Sequence, residues 1–342
     1  MAEIPVKCLA EKRTMGNSVQ SKTQTVCVVI VTYNRKELLW SLLLDLRRQT
    51  YGIDAIVLFD NNSTDGTYEL LQQRGIIEEG IVDSVTVNMW EGISFYYYRS
   101  SVNRGGSGGF EKAFSIAEQL NYDYIWVMDD DVSPEKECLK SLLSRIDETA
   151  KVCIPSRMGS NWDDYAVTNY NLTNPFLIHI GLKKSKIHSN AIKDDYINVV
   201  DMPFEGPLIS MEIARKVGLP NSEYFIMYDD TDYAYRLSKE TNIRYVVDAK
   251  LHRKLASKNA KENEWNWKKY YILRNEFWFD SLYGKNIFVR KMRPLLCAIS
   301  RSFSALIKGE RYKRKIVVIA YHDYLKKKMG KQLEPGTPVD RI

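Results

Sequence analysis

Residues 128–134 read MDDDVSP, three consecutive carboxylates directly after the apolar and aromatic run Tyr124 to Met128. Like charges this close repel and raise one another's pKa, so the cluster needs a cation among them. Alternate residues of an extended segment point to one side, which lets Asp129 and Asp131 converge on one ion while Asp130 turns elsewhere. Mg²⁺ or Mn²⁺ suits such a pair, because both accept hard oxygen ligands and leave positions for water and substrate phosphates. The competing use is to cap a helix expected near Pro134, but a cap needs one acid and Ser133 stands closer to that start. The expected positive charge is a divalent ion carrying a diphosphate.

Two further groups have the right types for chemistry. Asp229 and Asp230 in MYDDTDYAYRLSK open a helical pattern, where an acid can cap and can also act as a base. NRGGSGGF sets Gly105, Gly106, Gly108 and Gly109 just before a helix N-terminus, which permits close backbone approach to an anionic ligand. That stretch is not GxGxxG and lacks the Lys of a P-loop, so alone it says little. Trp162, Asp163 and Asp164 form a second acidic group, read as surface or acceptor-side. His179, His188 and His322 have no such context and receive no role.

The elements that must position these residues alternate. VCVVIVTY, DAIVLFD, ISFYYYRS and YDYIWVMDDD read as strands, and RKELLWSLLLDLRRQT, TYELLQQRG and FEKAFSIAEQLN as the helices between them. That order implies an α/β protein with a parallel sheet covered on both faces. Sites in such sheets lie outside the carboxyl ends of the strands. Three polar clusters occupy those ends: Thr32 to Arg35, Asp60 to Asp65 and Asp129 to Asp131. One crevice is expected there. Residues from about 157 to 200 read as an irregular excursion over the sheet, and the chain from about 264 reads as helical, aromatic and basic.

Composition narrows the class. Hydrophobic residues at 44% and charged residues at 27% fit a globular chain. No apolar run approaches the ~20 residues that span a bilayer, and the first 25 residues lack the apolar stretch of a signal peptide. Five scattered cysteines without a CxxC pair read as reduced thiols of a cytoplasmic protein. Net charge is +6, but Lys250 to Lys331 holds 22 Lys and Arg against 6 Asp and Glu, a local +16 that leaves −10 elsewhere. No nucleic-acid motif accompanies these cations, so they point to an anionic membrane surface, with a solvated face of an oligomer-forming bundle as the alternative.

Taken in order, VVIVTYNR, LFDNNSTDGT, NRGGSGGFEKAF, WVMDDDVSP, MYDDTDYAYRL and the His of DAKLHRK resemble an inverting family 2 glycosyltransferase, most like the bacterial galactofuranosyltransferase branch. KYYILRNEFW, residues 269–278, is similar to a stretch beyond the catalytic domain of galactofuranosyl- and rhamnosyltransferases. The resemblance implies a GT-A fold: a doubly wound mixed sheet over 25–260, after a flexible arm at 1–24 and before a C-terminal helical region at 261–342. It implies a nucleotide site formed by Thr32, Tyr33, Arg35, Asp60, Asn62, Asn103, Gly105, Asp129 and Asp130. It makes Asp129, Asp131 and His252 the ligands of Mn²⁺ or Mg²⁺, Asp230 the base and Asp229 the residue that orients acceptor hydroxyls. Tyr228 stands where that branch often carries Trp.

The expected reaction is transfer of galactofuranose from UDP-galactofuranose to a lipid-linked cell-surface glycan at the inner face of the cell membrane. UDP-hexopyranose and dTDP-rhamnose are the alternative donors. A nucleotidyltransferase would carry a Gly-rich basic loop after the first strand, and VTYNRKE is not one. A non-catalytic sugar-nucleotide-binding protein would have no need of the intact Asp129, Asp131, Asp230 and His252.

Overall fold

A computed structural model describes residues 24–159, 164–255 and 265–342. The expected arm at 1–24 lies outside them apart from Gln24, as do Cys8, Trp162 and Asp163. The described chain forms twelve strands: β1 (Val26–Thr32), β2 (Ala55–Asp60), β3 (Val85–Trp90), β4 (Ile93–Arg99), β5 (Tyr124–Asp129), β6 (Val132–Pro134), β7 (Val152–Met158), β8 (Tyr165–Tyr170), β9 (Lys184–His188), β10 (Tyr196–Val199), β11 (Leu208–Ser210) and β12 (Ile243–Arg253). Its ten helices are α1 (Lys36–Arg47), α2 (Thr67–Gln73), α3 (Gly105–Ala117), α4 (Cys138–Leu143), α5 (Ile180–Lys183), α6 (Met211–Val217), α7 (Asp229–Leu237), α8 (Trp267–Tyr283), α9 (Arg293–Ile307) and α10 (Arg311–Leu325).

The main sheet runs β10-β12-β7-β11-β5-β1-β2-β4-β3, with β6 paired to β12. β5, β1, β2 and β4 are parallel, as their continuous apolar runs require. Both β1 and β2 are buried along their whole length. β11 runs antiparallel to β5 and β7, and β3 antiparallel to β4, so the sheet is mixed. α1 and α4 cover one face through Leu39, Leu42, Leu43, Leu139 and Leu142, and α3, α6 and α7 cover the other. This is the mixed, doubly wound α/β architecture that the resemblance implies.

Two features depart from the expected elements. β3 is an unforeseen hairpin partner of β4, with the half-exposed pattern of an edge strand. The excursion after β7 is partly ordered by itself, with β8 and β9 forming a two-stranded sheet.

The glycine stretch also differs in kind. It is the first turn of α3 rather than an open loop before it. Gly105 has φ +72, and a Cβ there would lie 2.1 Å from the Phe225 carbonyl oxygen. Gly109 lets α3 press on Val31, 2.7 Å from its would-be Cβ. Only Gly106 of the four faces open space. Gly105 and Gly109 thus serve packing of α3 against its neighbours. Gly105→Ala should therefore destabilise the fold by about 1–3 kcal/mol, whereas Gly106→Ala should be neutral or slightly stabilising. Urea unfolding of the two variants would separate them, and equal costs would refute this account.

Candidate active site

β5 ends at Asp129, and Asp130 and Asp131 form the turn into β6. The expected helix starts later, at Cys138, so the acids cap nothing. Asp130 is buried and turned toward the end of β1, where it accepts from Thr32 Oγ1 (2.8 Å), Arg35 (2.8 Å) and the Tyr33 N–H (3.4 Å). Arg35, ahead of α1, also reaches Asp131 at 3.1 Å. Of the charges near Asp129, that of Asp131 weighs most. Loss of water pushes the Asp129 carboxyl well above the carboxylate range, and the charges of Asp131, Glu205 and Asp130 add to this against the pull of Arg35. Asp131 is raised too, because loss of water outweighs Arg35 and Arg253.

Glu205, which motif reading missed, is held by Arg253 (3.0 Å) and Arg157 (3.2 Å). His252 does not join this group: its Nε2 lies 2.9 Å from Glu135. Alternation along β12 gives the acid side to Arg253 and the other side to His252. Among the described residues no set of three His, Cys, Asp or Glu side chains is grouped to hold a metal ion.

The remaining residues assigned to the nucleotide serve different ends. Tyr33 is open to solvent, at 42% exposure. Asp60 is fully buried and committed, accepting from the Ser63 N–H (2.8 Å) and Tyr97 OH (2.9 Å), so it shapes the loop after β2. Asn62 takes the left-handed conformation in that loop, with φ 68. Asn103 accepts from the Gly105 N–H (2.8 Å). The unassigned Asn61 joins the two loops, donating to Asn103 (3.2 Å) and the Gly105 carbonyl (3.0 Å) and accepting from the Arg104 N–H (2.8 Å).

Asp229 and Asp230 open α7 after an unusual approach. Phe225, Met227 and Tyr228 all have positive φ (65, 67 and 75), which non-glycine residues rarely adopt. α8 holds this backbone. Asn275 Nδ2 donates to the carbonyls of Tyr224 (3.1 Å), Ile226 (2.9 Å) and Met227 (2.8 Å), and Arg274 donates to Tyr224 (3.0 Å) and Gly330 (2.7 Å). Both residues belong to KYYILRNEFW, whose role the sequence did not disclose. α3 touches the same loop, since the Ser107 N–H donates to the Phe225 carbonyl at 3.1 Å.

Burial raises Asp229 to about 6. Asp230 is pushed up to about 8 by loss of water, then by the charges of Asp229 and Asp201, while the Thr231 N–H and Lys184 pull it down. Lys184 and Asp201 form an ion pair at 2.7 Å, and Asp201 also accepts from Thr231 Oγ1 at 3.1 Å. Neither residue carried a recognisable sequence signal.

The family model for glycosyl transferase family 2 matches residues 27–218. The chain belongs to this family. It is 26% identical over 215 residues to galactofuranosyltransferase GlfT1 of Mycolicibacterium smegmatis, a match covering 63% of this chain and 66% of that protein, just under two thirds of its length. It is 30% identical over 145 residues to abequosyltransferase RfbV of Salmonella typhimurium, covering 41% of this chain and 38% of that one. Residues 1–349 of S. aureus TarS, solved with UDP-GlcNAc, share the fold at a TM-score of 0.54 and 14% identity, over 88% of this chain and 81% of that one. The mannosyltransferase PcManGT from Pyrobaculum calidifontis, solved with GDP-Man and Mn²⁺, superposes at a TM-score of 0.51 and 12% identity, over 89% and 87%. The fold is GT-A.

Within this family 2 chain, Asp164 needs correction. It is not a surface acid: it is buried and accepts from Arg157 (2.6 and 3.1 Å) and Tyr245 OH (2.8 Å), which makes it structural. For Asp230 the sign of the linkage is clear. A carboxyl raised from 3.8 to about 8 favours the folded state while protonated, and that stability is lost as pH rises through the folded pKa. Asp230→Asn should therefore raise Tm by roughly 2–4 °C at about pH 9 and change little near pH 4. Calorimetry showing the same change at both pH values would mean that Asp230 titrates normally.

Proposed function

We propose that this family 2 protein is a metal-dependent inverting glycosyltransferase that moves galactofuranose from UDP-galactofuranose onto a lipid-linked glycan. The observation carrying the reaction type is that two groups of acids keep raised pKa values despite the cations near them. Asp129 and Asp131 lack enough positive charge, and Asp229 and Asp230 hold raised pKa values beside the first turn of α3. Two carboxylates raised by burial and by nearby negative charge in this way fit Mn²⁺ or Mg²⁺. A divalent ion held by Asp129 and Asp131 would supply Lewis acidity to the departing diphosphate. His252 is a third ligand only if it leaves Glu135.

Asp230 accepts the acceptor hydroxyl proton as that oxygen attacks the anomeric carbon from the face opposite the diphosphate. The proton ends on the carboxylate, and the electrons of the breaking C–O bond leave with the diphosphate. Asp229 orients the acceptor. Once ionised, a base with a pKa near 8 accepts this proton more readily than an ordinary carboxylate, and the charges of Asp201 and Lys184 pull that pKa in opposite directions. Arg35 stands ready for the nucleotide side, already bridging two acids of the cluster. The similarity to GlfT1 supports the donor sugar. The basic C-terminal helices support a place at the inner face of the cell membrane, where a lipid-linked acceptor would be met.

The test is a donor panel. UDP-galactofuranose, generated in situ by a mutase, should support transfer with Mn²⁺ where UDP-galactose does not. Clean transfer from UDP-glucose or dTDP-rhamnose would replace the sugar and keep the mechanism. Asp131→Asn should abolish transfer and weaken Mn²⁺-dependent donor binding. Asp230→Asn should lower kcat on the order of 10² or more with donor affinity nearly intact. Wild-type kcat in the latter would remove Asp230 from the chemistry.

A further inference from the structure

The α9–α10 hairpin carries an apolar face that the transfer reaction does not use. Leu295, Ile299, Phe303 and Leu306 follow one another at intervals of four, four and three, a single stripe along α9. All four are exposed, Phe303 at 63%. Val318 and Leu325 of α10 continue the surface, and together these side chains line an open groove of about 490 Å³ with Arg314 on its wall. The opposite side of the hairpin is spent on packing: Cys297 and Ala298 of α9, with Ile316, Val317 and Ala320 of α10, bury against α8. An exposed apolar patch rimmed by charge marks an interaction surface.

The rim says what covers it. Between residues 285 and 328 the chain has 13 Lys and Arg against two acids, Glu310 and Asp323. Asp323 is buried and accepts from Tyr270 OH at 2.8 Å, and Glu310 is paired with Lys313 at 3.0 Å. The exposed cations sit at both ends of the hairpin: Arg290 and Lys291 before α9, Lys308 and Arg311 at the turn, and Lys326 to Lys328 after α10. A second copy docking on this face would set these like charges against each other. A spanning role does not arise, because no described helix is long and apolar enough to cross a membrane.

We propose that the hairpin lies in the plane of an anionic bilayer, with the Leu295–Leu306 stripe and Val318 in the acyl boundary and the end cations among the headgroups. This gives a defined surface to the membrane location proposed above and rests on that reading. The Glu276–Arg301 ion pair (3.0 Å) and the Asp280–Arg293 pair (3.0 Å) tie α9 to α8, the helix that also clamps the Asp229 loop.

The full chain should sediment with vesicles of about 30 mol% phosphatidylglycerol in phosphatidylcholine at low salt, and not with phosphatidylcholine alone. The double variant Ile299→Glu, Phe303→Glu should lower that partitioning by on the order of tenfold or more, at unchanged Tm because both side chains are exposed. Lys308→Glu with Arg311→Glu should weaken binding at low salt. Wild-type partitioning by the Ile299/Phe303 variant, or no binding of the wild type, would overturn the proposal. A wild-type dimer in light scattering that the same variant dissociates would also overturn it, in favour of a second copy. Metal-dependent UDP release from the donor, measured without vesicles, should be equal in wild type and variant. Its absence from both would sink the transfer reading while leaving the vesicle result intact.

Discussion

Much of the site depends on how the carbonyls of Tyr224, Ile226 and Met227 are satisfied. Their backbone enters α7 through three non-glycine residues at positive φ, a conformation that costs of order 1–3 kcal/mol for each and persists only when its surroundings impose it. Asn275 meets all three carbonyls with one amide group, and Arg274 reinforces the first. Gly105 completes the arrangement from the other side, since only a residue without Cβ can sit against the Phe225 carbonyl. Asp229 and Asp230 are thus presented by a loop trapped between α3 and α8. The region after residue 264 helps build the site rather than being appended to it.

The chemistry follows from which acids the fold satisfies. Asp130, Asp60, Asp164 and Asp201 are each met by several donors, and these hydrogen bonds hold loops together. Asp129 and Asp131 on one side, and Asp229 and Asp230 on the other, are left with raised pKa values. Uncompensated acids are costly, and a fold keeps them where a ligand supplies what is missing. One pair suits a cation with its diphosphate and the other suits a proton. The proposed inverting transfer would use both.

A second buried charge system binds the helical region to the excursion after β7. Lys183 meets Glu276 at 2.7 Å and Asp280 at 2.6 Å, while Arg301 and Arg293 of α9 approach the same two acids. Three cations share two carboxylates, and removing one partner would leave charge stranded in the interior. α8 therefore has one end of its polar face in the loop that carries Asp230 and the rest in this network.

The sequence by itself determined the parallel core of the sheet and the strand ends at which polar residues gather. Short continuous apolar runs alternating with helical patterns read as buried parallel strands, and Thr32, Asp60 and Asp129 do end β1, β2 and β5. Local spacing could not decide which partner a side chain meets. Read from motif order, His252 was a ligand, yet the pairing of β12 with β6 turns it to Glu135 and gives the acid side to Arg253. The glycines of NRGGSGGF read as room for a ligand, but the packing of α3 against Phe225 and Val31 uses two of them. Lys184, Asp201 and Asn275 carry no motif for their roles, because each acts on the Asp229–Asp230 region across 29 to 46 residues of chain. Tertiary structure alone decided these, since burial and hydrogen bonding depend on neighbours in space that the order of residues does not disclose.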